Sequence, residues 1–233
     1  MKTIRKGAPP QELINWKRDN ADVPQNLFYG AGGFPAEAVR RSLLTEQFHL
    51  CAYTMRRLAA DNIDTRSSCH IEHVLPQCRK VLGEDVDYQN MVACYPPSQS
   101  KIACEFGAHS KADFDPSEGG FVSPLSNNAQ EQFMFDADGN IKGRTDDASA
   151  TINILNLNCK VLVNDRAAAI KGYLQPKGKR ISAQSARRLA QHIIQNDAQL
   201  CLPAYCIAIA QAALQYADRE ERRAGRMRKE GRP

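Results

Sequence analysis

Residues 69–77 read CHIEHVLPQ: two histidines bracket a glutamate, a cysteine precedes them, and a short apolar run with a proline follows. Three readings of such a stretch compete: a catalytic site, a zinc site, or a strand that carries imidazoles for packing. An imidazole works near neutral pH, so His73 can stand unprotonated and take a proton from water. Along a strand, Ile71 and His73 share one face, and His70 and Glu72 share the other. His70 therefore stands on the side of Glu72. There it is a metal ligand, a group that orients one, a substrate contact or a plain structural residue.

The elements around this stretch have to position it. The 233 residues, 42% hydrophobic, suffice for one good core with helical extensions. Residues 9–19 predict a short helix with Leu13, Ile14 and Trp16 on one side, and the glycines of GAGGFP read as a linker. Residues 35–50 predict a second helix with Val39, Leu43, Leu44 and Phe48 at helical spacing. Helical periodicity is then lost from 51 to 115. FMF and NIKG flank the turn signal DADG and predict a hairpin within 121–143. Residues 146–174 read as one long helix capped by Asp146 or Asp147, with Ile152, Leu155, Cys159 and Leu162 as its stripe. Ser182 caps the next helix, where His192 is a surface or edge residue, and a last helix starts near Pro203 and ends in a strongly charged tail. The expected class is α+β, divided into an N-terminal helical segment (1–50), a chemical module (51–115) and a hairpin with helical region (116–233).

Three pieces of the module stand in register. The first is IEHVLP, the second YQNMVAC, the third CEFGAHSKAD. Acid–histidine–two apolar residues–proline, then Asn90 at 17 residues after His73, then a histidine close to a lysine, resemble the HNH nuclease motif. That resemblance implies a ββα-metal fold: a two-stranded ribbon packed on one helix around one divalent cation, magnesium or manganese. His73 is then the general base, and Asn90 bonds its other ring nitrogen to fix the tautomer. Glu72 and His109 hold the cation, which polarises the scissile phosphate and steadies the departing oxygen. Lys101 and Lys111 flank the site as phosphate-binding candidates, although a lysine in such a place is more often an ordinary surface residue.

Together with LCAYT, FVSPLS and ATINILNLN, these pieces resemble the HNH endonuclease subunit PtuB of Septu antiphage systems, closest to the retron-associated type. The resemblance runs from RKGAPPQELINWK into the LNLN stretch. It implies a toxic effector of abortive infection that works with a PtuA-like ATPase. In retron systems a reverse transcriptase and its RNA–DNA hybrid hold the effector in check. Relatives commonly carry Cys-x-x-Cys in the first motif as part of a structural zinc site, whereas this chain has Cys51 followed by Thr54, and threonine is a poor zinc ligand. Three outcomes stand: Cys69 fills the gap beside Cys51, Cys94 and Cys104; His70 fills it; or the zinc is lost. Cys78 follows the turn at Pro76 and reads as structural.

Composition narrows the alternatives. A net charge of +5 permits a nucleic-acid partner without demanding one, and argues against a strong non-specific DNA binder. No run is apolar and long enough to span a bilayer, and no apolar stretch follows the N-terminal lysines, so the expected location is the cytoplasm with no membrane partner. The substrate is DNA or RNA, tRNA included. The competing function is a non-catalytic zinc-ribbon adaptor that binds a partner ATPase or nucleic acid. Residues from about 146 to 230 are expected to offer much of the docking surface for the ATPase.

Overall fold

A computed structural model describes all residues except 59–64, 99, 101–102, 196–200 and 230–233. The chain is α+β, as expected. Helix α1 (Gln11–Asp19) begins after Pro10 and buries Leu13 and Trp16. Ile14 does not share their side; it is 42% exposed. Trp16 packs edge-on to Phe34, whose segment folds back through the glycines at 30–33. Helix α2 (Ala36–Glu46) buries Val39, Leu43 and Leu44. It stops short of the predicted end because Phe48 and His49 turn into the left-handed region, with φ of 52° and 57°.

Strands β1 (His70–His73) and β2 (Met91–Cys94) form an antiparallel ribbon, pairing His70 with Cys94, Ile71 with Ala93, Glu72 with Val92 and His73 with Met91. The outer edge of β2 is not left open. The buried Gln47 side chain accepts from Ala93 N at 2.7 Å and donates to Ala93 O at 2.8 Å, fixing the end of α2 to the middle of the ribbon. Helix α3 (Ala108–Lys111) is a single turn. Gly107 begins it at φ 66° and donates to Leu155 O, and Ser110 Oγ donates to Ile154 O.

The predicted hairpin is present as β3 (Phe133–Phe135) and β4 (Ile141–Gly143). The predicted long helix is two: α4 (Asp146–Ile154) and α5 (Lys160–Leu174). Between them Asn156 adopts φ 47°, and Asn158 bonds both backbone groups of Ile141, so the chain leaves the helix to hold the hairpin. The cap of α4 is Thr145, which accepts from Ala148 N, rather than Asp146 or Asp147. Ser182 caps α6 (Ala183–His192) as predicted, and His192 lies exposed at its end. Helix α7 (Cys206–Lys229) packs on α5, α6 and β3. One buried apolar cluster draws on all three sequence segments, from Leu13 and Leu43 through Ile71 and Val92 to Leu155, Ile209 and Ala213.

Candidate active site

Strand β1 presents two chemical faces, with Ile71 and His73 buried and His70 and Glu72 partly exposed. On the buried face, His73 is 6% exposed. Its Nε2 lies 2.8 Å from the carbonyl of Asp85. A carbonyl only accepts, so Nε2 carries the proton and the lone pair of the neutral ring is at Nδ1. Burial pushes the His73 pKa below the usual imidazole value, with the Asp85 bond opposing it in part. The ring is thus neutral at physiological pH. Tyr29 lies edge-on against it, with ring centres 4.8 Å apart, and Tyr29 N is held by the Asp85 carboxylate at 2.8 Å. Tyr29 and Asp85 also line a cleft of about 400 Å³ with Phe28, Pro76, Lys80 and Leu82.

Asn90 does not supply the tautomer-fixing bond. Its Oδ1 accepts from Leu75 N at 2.7 Å, and its Nδ2 donates to Leu75 O at 3.0 Å and to Glu84 O at 3.2 Å. Asn90 O also accepts from Val74 N. The residue clamps the chain that leaves His73, while Asp85 does the work expected of Asn90.

On the other face, His70 Nδ1 lies 2.6 Å from Pro96 O, which leaves its Nε2 unprotonated and turned toward Glu72 Oε2 at 3.9 Å. Burial lowers the His70 pKa, against the Pro96 bond. Burial raises that of Glu72, against its interaction with Lys111. The His109 ring, exposed at the start of α3, has its centre 6.0 Å from that of His70. Lys111 departs from the expectation of a phosphate-facing lysine. It is 2% exposed, ion-paired to Glu72 Oε1 at 3.1 Å, and donates to His73 O at 3.1 Å. A buried ammonium that leaves its carboxylate strands a charge, so the pair is held by a cost of roughly 3–5 kcal/mol on breaking it. Lys101 lies outside the described residues.

The cysteines divide. The buried Cys51 and Cys94 are hydrogen-bonded to each other. Burial pushes both thiols up, but bonds from Cys94, Thr54 and the Tyr95 amide outweigh it at Cys51 and pull that thiol below its ordinary range. Thr54 has thus become a donor to Cys51. Burial pushes the Cys69 thiol up to about 12. Cys104, partly exposed, contacts Phe106 O at 3.3 Å. Among the described residues no group of three or more His, Cys, Asp and Glu side chains stands ready as a metal cage.

Sequence reasoning missed four contributors: Tyr29 and Asp85 around His73, Pro96 behind His70, and Tyr53, whose hydroxyl lies 3.4 Å from Glu72 Oε1. The roles of Asp85 and Pro96 at the rings are played by backbone carbonyls, which have no residue-type signature. Tyr53 stands in LCAYT, beside Cys51. No protein-family model matches the chain, and a search of curated proteins returned no match. Taken alone, the arrangement offers a neutral imidazole with a defined lone pair on one face of β1, and a carboxylate with two imidazoles on the other.

Proposed function

We propose that the chain is a metal-dependent HNH-type endonuclease that hydrolyses phosphodiester bonds, with β1, β2 and α3 as its ββα core. One observation supports this reading above the others: three pieces distant in sequence converge. Asn90 bonds the backbone two residues beyond His73, and Lys111 bonds Glu72 and His73 at once. His73, donating its Nε2 hydrogen bond to Asp85 O, takes a proton from the attacking water at Nδ1. Asn90 holds the turn that aims the ring. Lys111 orients the Glu72 carboxylate and leaves Oε2 open.

The donor chemistry of Glu72 and His109 fits a divalent cation, since a carboxylate and an imidazole on one side of the ribbon are ordinary ligands. A cation held by Glu72 and His109 would supply charge stabilisation to the phosphate and to the departing oxygen. The substrate is DNA or RNA. The physiological setting carried over from the resemblance is a Septu- or retron-type complex with a PtuA-like ATPase, in which the chain is the toxic effector.

The test is a purified His73→Ala chain, with its fold checked by circular dichroism and its complex by gel filtration. Cleavage should fall by at least about 10²–10⁴, the span of a general base, and toxicity should vanish with the complex intact. Unchanged toxicity would sink the proposal. The adaptor reading is favoured by the burial of His73, whose contacts with Asp85 and Tyr29 also suit a packing role. It predicts that His73→Asn, if folded, keeps every activity of the complex.

A further inference from the structure

On the open face of β1, the His70 Nε2 to Glu72 Oε2 separation of 3.9 Å is too long for a hydrogen bond. It matches the separation of two atoms that flank one cation. With ligand distances of about 2.1 Å, two donors on a common ion at tetrahedral or wider angles stand roughly 3.4–4 Å apart. The same distances put the ring centres of two ligating imidazoles roughly 5–6.5 Å apart, and the His70 and His109 centres are 6.0 Å apart. The nitrogen that faces Glu72 is the unprotonated one, because the other donates its hydrogen bond to Pro96 O at 2.6 Å. A backbone carbonyl behind a ring is how a ligating histidine is usually oriented. Lys111 occupies Oε1 of Glu72 and leaves Oε2 on the His70 side. The three side chains do not form a closed cage as they stand; His109 is exposed on a one-turn helix, so a change of its rotamer would displace no core side chain.

We propose that His70 is a ligand of the cation together with Glu72 and His109, and that the site takes a first-row transition ion in preference to magnesium. The inference rests on the metal-site half of the nuclease reading. Two imidazoles and one carboxylate form a nitrogen-rich set, whereas magnesium favours oxygen ligands and keeps its waters.

The experiment measures binding alone, on the full chain freed of metal by chelation, with cobalt(II) and magnesium as probes. The absorption of cobalt(II) separates thiolate ligation at the cysteines from ligation by imidazole and carboxylate. The expected result is one cobalt per chain with no thiolate band, bound at least tenfold tighter than magnesium. His70→Ala should weaken cobalt by about 100-fold or more, since even groups that only orient a ligand are worth about 10–100-fold. His70→Asp, which swaps an imidazole for an oxygen donor, should narrow the preference for cobalt over magnesium. His192→Ala, at an exposed position at the end of α6, should change nothing. Equal cobalt affinity in wild type and His70→Ala, a thiolate spectrum, or no cobalt bound would each overturn the inference. None of these reads cleavage, so the role of His73 as base is judged separately by its own variant.

Discussion

At the residue scale, Asn90 is the side chain whose removal speaks most clearly about the site. It satisfies Leu75 N, Leu75 O and Glu84 O from a position 6% exposed. Asn90→Ala leaves those groups short of partners at about 1–3 kcal/mol each where water cannot replace them. A loss of roughly 2–4 kcal/mol in urea unfolding is expected, and a loss below about 0.5 kcal/mol would mean that the clamp is not formed. The two faces of β1 were legible in the sequence, because strand alternation alone puts His70 beside Glu72. The partner of His73 was not. A motif names an asparagine at the right spacing, but the ring is met by the Asp85 carbonyl, and any residue type carries a carbonyl. Nor was the burial of Lys111 legible: one turn of helix gives no periodicity from which to read an inward face.

At the scale of elements, the hairpin and the break between α4 and α5 are one structure. Arg166, 2% exposed, donates to the carbonyls of Gly139 and Leu157, and Asn158 bonds Ile141. Gly139 sits at φ 84°, and a Cβ there would collide with the backbone of Val163 and Ala167 on α5. Gly139→Ala combines that collision with left-handed strain. It should destabilise the chain by about 3 kcal/mol or more in denaturant unfolding, while Thr145→Ala, which removes only the cap of α4, should cost about 1 kcal/mol. Equal effects would contradict this account of the turn. The hairpin was legible because DADG between apolar runs is a local signal. The break was not, because Ile152, Leu155 and Leu162 keep helical spacing across it and the bonds that interrupt it come from residues 17 and 27 positions away.

At the scale of the whole molecule, α7 is part of the core before it is a surface for partners. Ile207, Ile209, Ala212, Ala213 and Ala217 are buried, and Gln211 and Gln215 bond the β3 backbone. Its charged continuation is half-buried at Asp218 and Glu220 and exposed at 221–227, and it is tied to α6 by Arg187 with Asp218 and Glu221. Among the described residues, no helix is long and apolar enough to cross a membrane. Ending the chain after Ala217 should leave thermal unfolding nearly unchanged, since exposed ion pairs contribute about 0–1 kcal/mol. Under the proposed function it should weaken binding of the ATPase, and full binding by the truncated chain would move the docking surface elsewhere. The helices were legible here from their periodicity; that the last one fills the core was not, since an amphipathic face does not say what covers it. The central claim, that His73 makes this chain a nuclease, is tested most directly by sequencing the DNA and RNA ends formed when it is expressed with its complex. New ends that disappear with a folded His73→Ala chain are the predicted result; the same ends with that variant, or none with either, would contradict it.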